Sequence, residues 1–133
     1  MATVTTYIDG KSAAQKLGND LIVAEVYVDA TASSVLAANT YQIIKLPKGA
    51  VLYNVLAKVV TGDGVKTVTV TDGTTAYLSA VTLTTGVHYS SAVANIQSYA
   101  AADTLDLTVS ADTAVAQVLV IVKYGISQKL ANS

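Results

Sequence analysis

Leu21-Ile-Val-Ala-Glu-Val-Tyr-Val-Asp29 reads in steps of two. Ile22, Ala24, Val26 and Val28 fall on one face, and Glu25, Tyr27 and Asp29 on the other. Successive side chains of a strand point to opposite sides, so this period marks a strand with one dry face and one wet face. Downstream the same signal recurs nearly everywhere. Thr31 to Asn39 is a connection of small residues. Tyr41 to Leu46 is a second strand, stopped by Pro47, Lys48 and Gly49, and Val51 to Val60 is a third, ended by Gly62-Asp63-Gly64. Val65 to Thr71 alternates Val with Thr and Lys, and Asp72-Gly73 then offers a tight turn, because both residues tolerate positive φ. Tyr77 to Leu83 returns, and Gly86 breaks the chain. Val93 to Tyr99 is a weaker strand, and Leu105, Leu107 and Val109 alternate with Asp106 and Thr108. Val115 to Tyr124, apolar on both faces, suits a central or interface-buried strand.

About eight strands at regular spacing, with no helix-period crossovers, predict an all-β fold. The architecture expected is an antiparallel β-sandwich or barrel, with strand order left open between jelly roll and immunoglobulin-like. Upstream of Leu21 the texture changes: Met1 to Asp20 mixes Thr, Lys, Ser and Gly with isolated apolar residues at Val4, Tyr7, Ile8 and Leu17. One helical turn over Ser12 to Leu17 would have nothing to sustain it. The organisation expected is an extended N-terminal arm (1–20), a β-sandwich domain (21–125) and a short C-terminal tail (126–133).

A chain of 133 residues fits one domain with a full core. That core must be built from Val, Leu, Ile and Ala, because Phe and Trp are absent. The chain is 52% hydrophobic and 13% charged, about half the charge of an ordinary soluble domain. So few charges point to an outside partly buried on partners, the other reading being a monomer wetted by Thr, Ser and Asn. The eight basic residues are all lysines, scattered along the chain against nine acids. Without arginine or a basic cluster, nucleic acid is not an expected partner. Cysteine is absent, which removes disulfides and thiolate chemistry. Met1 to Gly10 lacks a signal pattern, and the run Val118 to Val122 is too short to span a bilayer, so synthesis in a cytoplasm and no membrane partner are expected.

The residues of catalysis are nearly missing. His88, the one histidine, lies between Gly86 and Ser91, in what reads as a loop, with no nucleophile and orienting partner beside it. Asp63 and Asp72 sit in turns, and Asp103, Asp106 and Asp112 cluster near one hairpin. Their spacing does not follow the EF-hand calcium loop, and turn capping explains them, although oxygen ligation of calcium stays open. No phosphate-cradling glycine motif occurs. The eight tyrosines are spread through the chain rather than grouped, which favours packing and contact over a stacking platform. The expectation is a protein that is not an enzyme and carries no cofactor.

With the strand and turn at Tyr41 to Gly49, the Val65-to-Leu83 hairpin around Asp72-Gly73-Thr74, and terminal strands Leu105–Val109 and Val115–Tyr124 read as a pair, the chain resembles the decoration (cement) proteins of tailed-bacteriophage capsids. The resemblance covers roughly Leu21 to Gly125 and is one of texture. It implies a jelly-roll-like sandwich that sits as a homotrimer on the outer capsid surface, made in the host cytoplasm. There it would bridge major capsid protein subunits and stabilise the virion. Val4, Tyr7, Ile8 and Leu17 would anchor the arm on that partner. The rival readings are a carbohydrate- or receptor-binding module on a fibre or tail, favoured by Tyr and Asp converging at one end of the sandwich, and another minor head or tail component.

Overall fold

The computed structural model describes residues 2–4, 12–17, 21–91 and 97–127. The described elements are strands: β1 (Ala2–Val4), β2 (Ser12–Leu17), β3 (Leu21–Asp29), β4 (Asn39–Leu46), β5 (Ala50–Thr61), β6 (Thr67–Thr71), β7 (Ala76–Thr82), β8 (His88–Ser90), β9 (Gln97–Ser98), β10 (Asp103–Val109) and β11 (Gln117–Ile126). They form two sheets, a five-stranded one in the order β1-β4-β10-β6-β7 and a six-stranded one in the order β2-β3-β11-β5-β8, where β9 also pairs with β5. All pairings are antiparallel except that of β1 with β4. Among the described residues no helix is long and apolar enough to cross a membrane.

The pairing has a simple generating rule. β6 and β7 form a hairpin, and the strands outside it pair in nested order: β5 with β8 and β9, β4 with β10, β3 with β11. The chain is thus one long hairpin closed at Asp72–Thr75. Rolling it on itself adds β10 to β6 and β11 to β5. That is the jelly roll, an antiparallel sandwich with its hydrophobic faces turned inward.

Alternation decides what lies inside. On β3, Ala24, Val26 and Val28 are buried, while Glu25 is exposed. On β11, Val118, Val120, Val122 and Tyr124 face the interior, and on β10 Leu105, Leu107 and Val109 meet them from the other sheet. Fully burying such a side chain contributes roughly 1.5–3 kcal/mol.

Two expectations need correction, and a third falls largely outside the described residues. The last two long strands are not a pair: β10 and β11 lie in different sheets, because the rolled hairpin gives each its partners elsewhere. Val65 and Val115, read as strand starts, lie outside β6 and β11 in connections. The weaker strand Val93 to Tyr99 is described only from residue 97, and its strand is Gln97–Ser98, with 92–96 outside the described residues. Residues 1–20 contribute β1, laid parallel on β4, and β2, laid on the edge strand β3.

Candidate interaction surface

The loops of a jelly roll gather at its two ends, and here the two ends differ. At one end lie the β3–β4, β5–β6, β7–β8 and β10–β11 connections, stitched to one another by hydrogen bonds. Val35 and Thr113 form a backbone bridge, and Asp112 Oδ1 accepts from the Ala37 N–H at 2.8 Å. Lys66 Nζ donates to the Asp112 carbonyl and to Asp63 Oδ2, both at 2.8 Å. The Gly62 N–H donates to Thr85 Oγ1 at 2.8 Å, and the Asp63 N–H to the Leu83 carbonyl at 3.0 Å. The β5–β6 and β7–β8 loops are pressed so close that a Cβ at Gly62 would lie 2.2 Å from the Leu83 carbonyl oxygen.

Each of these four braced loops exposes a large apolar side chain: Leu36, Val65, Val87 and Val115. Val60, at the end of β5, adds to them, and Val65 is 90% exposed. Scattered surface hydrophobics need no explanation, but a group gathered on one rigid end marks a contact surface. Charge is muted there, because Asp63 is paired with Lys66, whose hydrogen bond lowers its pKa. Asp29, below its ordinary value chiefly through the Thr31 hydroxyl, is likewise engaged.

The opposite end holds a polar knot. Asp72 Oδ1 accepts from the Thr74 and Thr75 N–H groups at 2.8 and 2.6 Å, and Oδ2 accepts from the Tyr99 hydroxyl at 2.8 Å. The Tyr77 and Tyr99 hydroxyls share a further hydrogen bond. Burial pulls the Asp72 carboxyl upward, but these donors together hold it below the usual range. Burial pushes Tyr77 up to about 12 and raises Tyr99 further. Tyr99 also bridges the β4–β5 corner, donating its N–H to the Ala50 carbonyl and accepting at its own carbonyl from the Gly49 N–H.

Tyr and Asp therefore do converge at one end, as a carbohydrate-binding module would require. Tyr77 and Tyr99 are buried, however, and their hydroxyls are engaged on Asp72 within the fold. Tyr41 is likewise buried, its hydroxyl accepting from the Leu36 N–H at 2.9 Å. These tyrosines serve packing.

The remaining candidates are separated. His88 is not in a loop but opens β8, exposed and in register with Lys58, since β5 offers its free edge there. Asp103 and Asp106 stand on β10, while Asp112 lies beyond its far end, so the three do not converge. Burial raises the Asp106 pKa, the Thr104 hydroxyl opposes it, and the charges of Asp103 and Asp72 add to the rise. Among the described residues no group of three or more His, Cys, Asp or Glu could hold a metal ion. An open depression of about 420 Å³ lies between Lys45–Pro47 and Ala102–Thr104, and the Thr104 hydroxyl on its wall donates to Asp106 Oδ1 at 2.8 Å. Of the proposed arm anchors, Val4 ends β1 opposite Tyr41 and Leu17 ends β2 opposite Leu21, and Tyr7 and Ile8 lie outside the described residues.

No protein-family model matches the chain, and no curated protein sequence matches it. Solved structures do. A chain of the cyanophage Pam1 capsid asymmetric unit superposes with a TM-score of 0.66 at 20% identity, over 90% of this chain and 95% of that one. One from the capsid of Ralstonia phage GP4 gives 0.63 at 13% identity, over 95% and 99%. One from the acid-stable capsid of Helicobacter pylori bacteriophage KHP30 gives 0.58 at 20% identity, over 86% and 94%. At these identities the likeness is one of fold. Because cover is near complete in both directions, each of those chains is about as long as this one and has the jelly roll as nearly its whole substance.

Sequence reasoning missed the apolar loop tips. Leu36 fell in a connection of small residues, and Val65 and Val115 were absorbed into the strands that follow. The usable signal was a large apolar residue beside turn formers, as in Asp63-Gly64-Val65 and Thr85-Gly86-Val87.

Proposed function

We propose that this chain is a non-enzymatic structural protein of a bacteriophage virion, which decorates the outer capsid surface and stabilises it by bridging major capsid protein subunits as a homotrimer. The observation that carries this reading is the whole-chain likeness to similarly small chains from three phage capsids. A chain of this size is suited to an added layer on a shell. The braced loop end is the surface offered to that shell. Its tips are apolar, Asp63 is paired with Lys66, and Asp112 accepts from the Ala37 N–H, so the contact loses little to salt. Rigid loops also avoid the ordering cost that flexible ones incur on docking. Each contact is modest, and a trimer engaging several shell subunits at once converts modest contacts into firm attachment. Residues 1–20, with Val4, Tyr7, Ile8 and Leu17 as anchors, extend this contact along the shell or a sister subunit.

The test is to purify the phage that encodes this chain and probe intact, DNA-filled particles with antibody to the protein. Labelling of the outer surface is expected, with stabilised particles releasing less DNA on heating than particles lacking the protein. Re-addition of Val65→Asp protein should give at least tenfold weaker retention than wild type, and deletion of residues 1–20 should weaken it as well. Absence of the protein from purified virions would overturn the reading. Direct glycan binding without particle attachment would favour the receptor-binding alternative.

A further inference from the structure

The two sheets turn different outer faces to their surroundings. The five-stranded sheet shows the face expected of a sheet open to water. Thr69 and Thr71 on β6 stand in register with Thr108 and Asp106 on β10, and the alternate residues Val68, Val70, Leu107 and Val109 are buried. The six-stranded sheet breaks that pattern. Its central strand β11 points Leu119 and Ile121 outward, where they are half-buried by their neighbours alone. Tyr27 stands beside Leu119 on β3, and Leu56 stands beside Ile121 on β5, so four large apolar side chains occupy the middle of this face. Antiparallel sheets that face solvent alternate apolar and polar residues, and departure from that alternation marks a covered face.

Charge says what covers it. Register places Glu25, Ile121 and Leu56 in one row across the sheet, and Tyr27, Leu119 and Lys58 in the next. Glu25 and Lys58 therefore stand on opposite flanks of the apolar centre, offset diagonally, with backbones about 12 Å apart from strand spacing and rise. Both are exposed, and among the described residues neither is in an ion pair. Copies that turn this face toward a shared axis bring the acidic flank of each beside the basic flank of the next. Head-to-tail contacts of this kind close into rings when the rotation allows. The loop end has no such unpaired couple, since Asp63 and Lys66 pair with each other.

We propose that the outer face of the six-stranded sheet is the surface by which copies of this chain associate, its apolar centre turned toward the shared axis and Glu25 of one copy paired with Lys58 of its neighbour. This rests on the homo-oligomer reading above and names the residues that build it.

Light scattering on a sizing column tests it, with circular dichroism to establish that each variant is folded. The wild type is expected at three times the 13.6 kDa of one chain. Glu25→Lys and Lys58→Glu, both surface changes, should each weaken association at least tenfold, and the double charge swap should restore it to within about threefold. Leu119→Ser should also release single chains, whereas Val65→Asp should leave the mass unchanged. A wild type that stays a single chain overturns the proposal, and so does an oligomer indifferent to Glu25→Lys and Leu119→Ser. An oligomer broken by Val65→Asp alone would move the interface to the loop end and overturn it too. A single-chain wild type would also remove the homotrimer from the reading above, an oligomer indifferent to these variants would leave it standing, and antibody labelling of virions tests the capsid role by itself.

Discussion

Asp72 does two jobs with one carboxylate. Oδ1 caps the turn that closes the central hairpin, and Oδ2 receives a tyrosine from the loop before β10. Replacing it with Ala removes both and leaves the Thr74 and Thr75 amides without their acceptor. Asp72→Ala is expected to cost roughly 2–3 kcal/mol in urea unfolding, and Asp72→Asn, which keeps a turn-capping oxygen, about half as much. The tyrosines set a limit at high pH. A phenol whose pKa is raised on folding favours the native state fully below its unfolded value near 10, and that contribution is lost as pH rises through the folded value. Tyr77, held up to about 12 by burial, places that window between about pH 10 and pH 12, and Tyr99 and Tyr124 shift the same way. Thermal stability is therefore expected to fall steeply above about pH 10. Tyrosinate absorbance from the buried rings should appear together with unfolding rather than before it.

At the scale of elements, the β5–β6 and β7–β8 connections are in backbone contact, and Gly62 is the residue that permits it. A Cβ there would lie 2.2 Å from the Leu83 carbonyl oxygen and 2.8 Å from the Thr85 nitrogen, neither of which can swing aside as a side chain would. Gly62→Ala is expected to destabilise by roughly 1–3 kcal/mol, read as a lower urea midpoint, and to loosen the loop end that carries Val65 and Val87. The opposite change is expected on β7. Ala80 holds φ at 48° beside an irregular stretch of the β6–β7 ladder, where its N–H takes the Thr69 hydroxyl as acceptor at 3.0 Å. That conformation costs an alanine roughly 1–2 kcal/mol, part of which Ala80→Gly should recover despite the added chain entropy.

Across the whole molecule, nesting makes nearly every strand pair non-local. Tyr124 sits opposite Ile22, and among the described pairings only β6 with β7 and β2 with β3 join strands a few residues apart in the chain. Loop closure must precede the reward of such contacts, so refolding is expected on the millisecond-to-second scale. Refolding complete within the dead time of stopped-flow mixing would contradict this. The same architecture gives the protein three distinct exteriors: an apolar braced end, a threonine-rich sheet face and an apolar sheet face.

Much of the fold was legible along the chain, and for a local reason. Strand side chains alternate whatever the strand pairs with, so the period of two over Ile22 to Asp29 states both the strand and its buried face. Turn residues act within four positions, so Asp72-Gly73 announced a hairpin, and the structure answers with Gly73 at φ 97°. The unbroken apolar run of β11 pointed to a central or covered strand, and it lies between β3 and β5. Partnership was not legible, because any two amphipathic strands satisfy each other's hydrogen bonds. Nothing near β10 says that its neighbours are β4 and β6 rather than β11. For the same reason Leu36, Val65, Val87 and Val115, far apart in the chain, could not be seen as one surface. Nor could Asp72 be matched to Tyr99, or Glu25 set across from Lys58. Local sequence determined where strands run and which way their side chains point, whereas long-range packing chose their neighbours and, through them, every candidate surface.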